Sequence, residues 1–269
     1  MSDHTPDRKD KPASQSRSQR QSLPITPPDD TPLPRILNLL ETGSIDEERG
    51  RLRWSSNYTF LVSVCDDELK ARAIYKPQRG ERPLWDFPDG TLCYREKAAF
   101  EVSEMLGWCI VPATILREGP HGLGSIQLYI QHNPDITYFN LDDSFIPQLQ
   151  RIAAFDYITN NADRKGGHCL LEKTGKLWGI DHGLCFHIAP KLRTVIWDFA
   201  GKPLPDSLKI DVERLGGILE NESSEICLKL ARLISQRELD ALRKRVIRLT
   251  VSGIFPDPGH GPSYPWPPV

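Results

Sequence analysis

The sequence predicts an α+β chain of two lobes with a cleft between them. Three observations predict it. Strand-type patterning fills Gly50 to Lys76 and is followed by one helical pattern, about residues 92–106. The breaker His132-Asn133-Pro134 then interrupts the chain. Beyond it the patterning is helical, apart from one short hairpin near residues 169–181. The lobes are expected at 35–133 and 134–255, between an N-terminal tail, 1–34, and a Pro/Gly-rich segment, 256–269.

Residues 1–34 are rich in Ser, Pro, Asp, Arg and Lys and almost free of large apolar side chains, which predicts a disordered, solvated tail. Arg35–Glu41 reads as a short amphipathic helix that Thr42-Gly43 stops. Arg51–Trp54 and Tyr58–Val64 read as strands joined by Ser55-Ser56-Asn57. Asp66-Asp67-Glu68 then turns the chain into an alternating run, Leu69–Tyr75. Pro77 has no N–H for a ladder, which places Lys76 at a strand end. Gln78–Gly90 has two Gly, two Pro and no period, and reads as a loop. Leu92–Leu106 is a helix closed by Gly107, and Ser125–Ile130 a strand. Ser144–Thr159 is helical, with Phe145, Leu149, Ile152 and Phe155 on one face. Three more helices are expected at about 207–219, 223–234 and 236–250, and the segment after Pro256 is expected to lie over the surface.

The 269 residues are enough for a sizeable core, and 39% of them are hydrophobic. A net charge of −2 argues against a dedicated nucleic-acid binder. No apolar run is long enough to span a bilayer, and the polar stretch Ser2–Asp30 has no signal-peptide pattern. The six cysteines are scattered without a Cys-x-x-Cys pair, which reads as reduced, mostly buried thiols of a cytoplasmic protein.

Residues 153–183 carry the chemistry. An apolar helix runs into Asn160-Asn161-Ala162-Asp163-Arg164, a hairpin follows, and its second strand delivers Asp181 before His182-Gly183. Two carboxylates on loops flanking one hairpin can converge on a point, as a Mg²⁺–nucleotide site requires: hard oxygen ligands and one acid facing the attacking hydroxyl. An acid after Trp178-Gly179-Ile180 is costly to bury without a cation or donors.

In order and spacing, three motifs resemble the protein-kinase-like superfamily. They are Ala73-Ile74-Tyr75-Lys76-Pro77, Arg95-Glu96-Lys97-Ala98-Ala99-Phe100, and the run from Asn160 to Asp181-His182-Gly183. The nearest resemblance is to its phosphatidylinositol 3-/4-kinase branch and bacterial relatives, HipA-type kinases included, over roughly residues 50–250. Trp85-Asp86-Phe87-Pro88 together with residues 191–197 is similar to a bacterial subgroup of that branch. The resemblance implies a bilobal kinase-like fold and an ATP-dependent phosphotransferase with Mg²⁺, or Mn²⁺, as cofactor.

Residue by residue, it implies that Lys76 meets the α- and β-phosphates. A lysine snorkelling at a sheet edge is the bland alternative. Glu96 is the implied partner of Lys76, with Glu101 as alternate. Ser55, Ser56 and Asn57 occupy the place of a phosphate-covering loop without its glycines, or form a plain turn. Asp163 is implied to orient the acceptor hydroxyl and take its proton, and Asp181 to bind metal. His168 stands where the family usually has asparagine as second metal ligand. An imidazole suits Mn²⁺ better than Mg²⁺, and a structural histidine is the alternative. Arg164 reads as a structural partner of some carboxylate. His187, Lys191 and Arg193 lie where lipid kinases hold an acceptor loop, or form a segment docked by Leu192, Val195 and Trp197. The acceptor stays open between protein, small molecule and lipid. A nucleotide-binding pseudokinase and an AMP-transferring relative are the rival readings.

Overall fold

The computed structural model describes residues 27, 30–49 and 58–269. The strand read at Arg51–Trp54, the loop Ser55-Ser56-Asn57 and most of the N-terminal tail lie outside the described residues. Helix α1 (Leu33–Thr42) starts two residues earlier than the sequence reading, with Pro34 in its first turn, where a missing N–H costs nothing. It buries Ile36, Leu39 and Leu40.

The N-lobe is a five-stranded antiparallel sheet of order β1-β2-β3-β5-β4. Its strands are β1 (Ser44–Arg49), β2 (Phe60–Cys65), β3 (Lys70–Pro77), β4 (Thr114–Gly119) and β5 (Gly122–Leu128). Strand β3 alternates strictly: Ala71, Ala73 and Tyr75 are buried, and Arg72, Ile74 and Lys76 point to the other face. Pro77 is the last residue of this central strand and pairs with Gly124. Only glycine fits at 124, because a Cβ there would lie 2.5 Å from the carbonyl oxygen of Lys76. The sequence reading missed β1 and β4. Both are edge strands whose charged stretches, Asp46-Glu47 and Arg117-Glu118, blur any period of two.

Helix α2 (Leu92–Met105) follows the loop. The Glu81 carboxylate accepts from the N–H groups of Leu92 (3.1 Å) and Cys93 (2.9 Å), capping the helix with the charge its positive end favours. Arg95 and Glu96 are buried on this helix, an arrangement that needs partners on both.

The C-lobe holds α3 (Ile146–Thr159), the hairpin β6 (Cys169–Leu171) and β7 (Leu177–Gly179), and helices α4 (Asp206–Glu220), α5 (Glu225–Ala231) and α6 (Gln236–Ser252). Leu149, Ile152 and Phe155 of α3 are buried as their spacing predicts. Ser235 and Glu238 form a reciprocal capping box on α6. The segment after Pro256 lies over the side of this lobe that carries residues 160–168 and 191–197. There Ser263 O accepts from Thr194 N–H at 3.0 Å, and Pro268 O accepts from Gly166 N–H at 2.8 Å.

Candidate active site

Strand β3, helix α2 and the two loops flanking the hairpin converge on one cleft of about 250 Å³, lined by Lys76, Glu96, Asp163 and Asp181 among others. The Lys76 ammonium donates to Glu96 Oε1 (2.5 Å) and to Asp181 Oδ1 (2.9 Å). Glu101 instead pairs with Lys97 one turn along the same helix, so the helix phase selects Glu96. The other Glu96 oxygen accepts from His182 N–H at 3.0 Å, so one carboxylate ties β3 to the Asp181 loop. Burial alone would lower the Lys76 ammonium. Asp181 and Glu96 outweigh it and hold its pKa above the ordinary value. Lys76 in turn holds Asp181 well below the usual carboxylate range.

Asn160 ends α3 in the left-handed region, φ 54°, and turns the chain into the catalytic loop. Its side chain donates to the carbonyls of His187 and Ala189, both at 2.8 Å, and accepts from Lys191 N–H. Asp163 N–H donates to Asn161 Oδ1 at 2.9 Å, which orients the Asp163 backbone. The Asp163 carboxylate faces Lys165 at 3.5 Å. Burial pushes Asp163 up to about 6, with Lys165 opposing the rise and Asp181 adding to it. A carboxyl poised there can hold or release a proton near neutral pH.

His168 Nδ1 lies 3.0 Å from the Asp163 carbonyl oxygen and 3.4 Å from Lys165 N–H; the shorter contact is made when Nδ1 carries the proton. Its Nε2 then presents a lone pair 3.4 Å from Asp181 Oδ2. Burial brings the imidazole pKa down to about 4, so the ring is neutral at pH 7. A neutral imidazole and a carboxylate facing each other as two acceptors suit a cation between them. Among the described residues no group of three or more His, Cys, Asp or Glu side chains is placed to hold a metal ion. The donor set therefore fits an ion that draws its remaining ligands from phosphate and water.

Arg164 is buried and pairs with Asp156, which is also fully buried. Its Nε reaches both Asp156 oxygens (3.1 and 3.0 Å). Its Nη1 donates to the carbonyls of His168 (3.2 Å) and Ile180 (2.8 Å). One guanidinium thus fixes the residue that enters the hairpin and the residue that leaves it. The sequence reading foresaw the structural arginine but not its partner, which sits eight residues upstream in the last turn of the apolar helix. A lone acid inside Ala153-Ala154-Phe155-Asp156 is the signal that could have found it.

Of the basic segment, Lys191 Nζ donates to Asp86 Oδ2 at 2.6 Å and lies 4.9 Å from the Trp85 ring. The two short motifs of the subgroup resemblance therefore meet in space. Val195 is buried, as a docked segment requires. Sequence reasoning missed Glu81 and Arg95. Arg95 donates to Glu238 Oε1 (2.5 Å) and to the Cys185 carbonyl (2.7 Å), joining α2 to the C-lobe.

Residues 42–212 match the family described as phosphatidylinositol 3- and 4-kinase. Protein Rv2133c of Mycobacterium tuberculosis is 40% identical over 260 residues, covering 81% of this chain and 90% of that protein. Among solved structures, the Golgi casein kinase with Mn/ADP bound superposes with a TM-score of 0.51 at 12% identity, over 88% of this chain and 80% of that one. That likeness shows a shared kinase-like fold. The Helicobacter pylori proinflammatory kinase CtkA covers 78% of this chain and 98% of its own at 13% identity, but a TM-score of 0.44 is too low to carry weight.

Proposed function

We propose, since the chain belongs to the phosphatidylinositol 3- and 4-kinase family, that this kinase-like protein is a phosphotransferase that uses ATP and a divalent cation. The observation that carries the reading is the Glu96–Lys76–Asp181 chain of contacts at 2.5 and 2.9 Å, facing Asp163 across one cleft. Lys76 would hold the triphosphate, positioned by Glu96. Asp181 and His168 would hold the cation, which supplies neutralisation of phosphate charge when bound. Asp163 would orient the acceptor hydroxyl and receive its proton at the carboxylate. A nitrogen ligand at 168 favours Mn²⁺ beside Mg²⁺, and the Golgi casein kinase was solved with Mn/ADP.

The acceptor is a protein, a small molecule or a lipid headgroup. No helix among the described residues is long and apolar enough to cross a membrane. A cytoplasmic bacterial protein belongs to the same reading, with six free cysteines in support. Calorimetry with ATP, with Mg²⁺ or Mn²⁺ and with EDTA, on the wild type and Asp181→Ala, tests it. Metal-dependent binding lost in the variant is expected. Equal affinity in every condition would sink the metal assignment. Incubation with γ-labelled ATP and mass analysis of the protein then separates phosphoryl transfer, a pseudokinase without turnover, and transfer of AMP.

A further inference from the structure

A second cavity, about 530 Å³, lies on the other side of the catalytic loop. Tyr157 and Asn160 of the α3 end, residues 188–197, α6 and residues 256–263 enclose it. It shares no lining residue with the cleft that holds Lys76 and Asp163. Its walls carry Arg193, Lys244, Arg245 and Arg248, and none of the four has an ion-pair partner among the described residues. Lys191 also lines it, but Asp86 already takes that ammonium. Asp257 is the one carboxylate in the lining.

The Arg245 guanidinium is held in place with a donor left over, and Arg193 carries a second buried donor without a partner. Arg245 donates through Nε to the Ile158 carbonyl (2.8 Å) and through Nη1 to the His187 carbonyl (3.3 Å). Its Nη2 is buried with no hydrogen-bond partner among the described residues, and so is Arg193 Nε. The Arg193 main chain is pinned on both sides: its N–H donates to Asn161 O, and its carbonyl accepts from Arg164 N–H, both at 2.9 Å. Burial pulls the Arg245 guanidinium down to about 10, with Tyr157, Cys185 and Glu238 only partly opposing the fall and no carboxylate paired with it directly. Buried donors left unpaired are rare in folded chains. Arginine side chains gathered in the wall of a roomy cavity are an arrangement that binds oxyanions through forked donors.

We propose that this cavity is a second ligand site that takes a phosphoryl-bearing organic anion through Arg193, Arg245 and Arg248. Four cations against one carboxylate match a dianion better than a single carboxylate. Ile188, Leu192 and Trp197 offer the rest of the ligand an apolar wall. The phosphoryl group belongs to a soluble phosphomonoester or to a lipid headgroup, and the chemistry at the arginines is the same for both.

The test uses the full chain with two probes. Phenyl phosphate is titrated calorimetrically, and vesicles of phosphatidylcholine with phosphatidic acid are assayed by flotation. Each probe is run on the wild type, on Arg245→Gln and on Lys244→Glu/Arg248→Glu. The double variant changes two exposed side chains, so it stays informative if Arg245→Gln does not fold. The expected result is at least a tenfold loss of phenyl phosphate affinity or of vesicle capture in the variants, with ATP binding unchanged. Phenyl phosphate binding alone assigns a soluble ligand, and vesicle capture lost in the variants assigns a lipid headgroup. Failure of both probes, or equal binding by wild type and variants, overturns the proposal. ATP binding is measured separately, so this failure is distinguishable from failure of the kinase reading.

Discussion

Asp163→Asn should slow turnover and stabilise the fold in the same molecule. The Asp163 carboxyl is pushed up to about 6, chiefly by burial, and its side chain is 26% exposed. A carboxyl raised above its ordinary value destabilises the folded state once it ionises. The penalty is absent below the unfolded-state value near 4, grows as pH rises toward about 6 and is complete at neutral pH. A tenfold change in proton affinity corresponds to about 1.4 kcal/mol, so a rise from the ordinary value to about 6 sets a ceiling of about 3 kcal/mol. Residual exposure and the lost contact with Lys165 at 3.5 Å reduce the net gain to about 1 kcal/mol. Asparagine keeps the shape and stays neutral, so Tm at pH 7 should rise by about 2–4 °C and converge with the wild type at acid pH. Removing the proton acceptor should cut single-turnover release of the labelled γ-phosphate by roughly 10²–10⁴, with ATP binding intact. Wild-type turnover should itself fall as pH drops through about 6. The decisive measurements are single-turnover rates and melting curves from pH 4 to 8. Wild-type turnover per folded molecule, or a loss of stability at neutral pH, would refute the assignment.

Arg164→Leu should cost about 3–5 kcal/mol, because it strands the buried Asp156 carboxylate, and denaturant melts should show it; a loss under 1 kcal/mol would contradict the pairing. Lys76→Ala should weaken ATP binding while the melting transition survives, since the side chain sits in the cleft wall and not in the core; retained binding with a collapsed melt would make Lys76 structural. Arg35→Gln should lower Tm slightly from neutral pH down to the ordinary aspartate pKa, and not in strong acid. Arg35 holds Asp66 below the usual carboxylate range, so its contribution is present above the ordinary aspartate pKa and is lost as pH falls through the depressed one. A Tm difference that persists unchanged into strong acid would refute it.

The fold class and the convergence of Lys76, Asp163 and Asp181 on one cleft were legible for specific reasons. Lys76 announced itself by ending an alternating strand at a proline, and Asp163 and Asp181 by flanking a hairpin too short to separate them. The choice of Glu96 over Glu101 was not legible, because helix phase against a sheet is a tertiary fact. Lys97 settles it by pairing with Glu101 at 2.6 Å. Edge strands β1 and β4 hid because charged edges carry no period of two. The pairing of Asp156 with Arg164, eight residues on, was missed although a lone acid in an apolar helix marks it; Glu238 hid because its partner Arg95 lies 143 residues away. Pairings at that range leave no local mark. The meeting of Asp86 with Lys191, 105 residues apart, is of the same kind.

The contact between Arg95 and Glu238 has a mechanical consequence. Arg95 adjoins Glu96 on α2, and its guanidinium is buried against a helix of the opposite lobe, so α2 is riveted at the point where it presents Glu96 to Lys76. Swinging α2 outward, the way a kinase-like site is commonly switched off, would break that buried pair at a cost of about 3–5 kcal/mol. A state that expensive is populated below about one per cent. The resting chain therefore keeps α2 docked, and under the proposed phosphotransfer reading control is expected to act through what reaches the cleft, not through the posture of the helix.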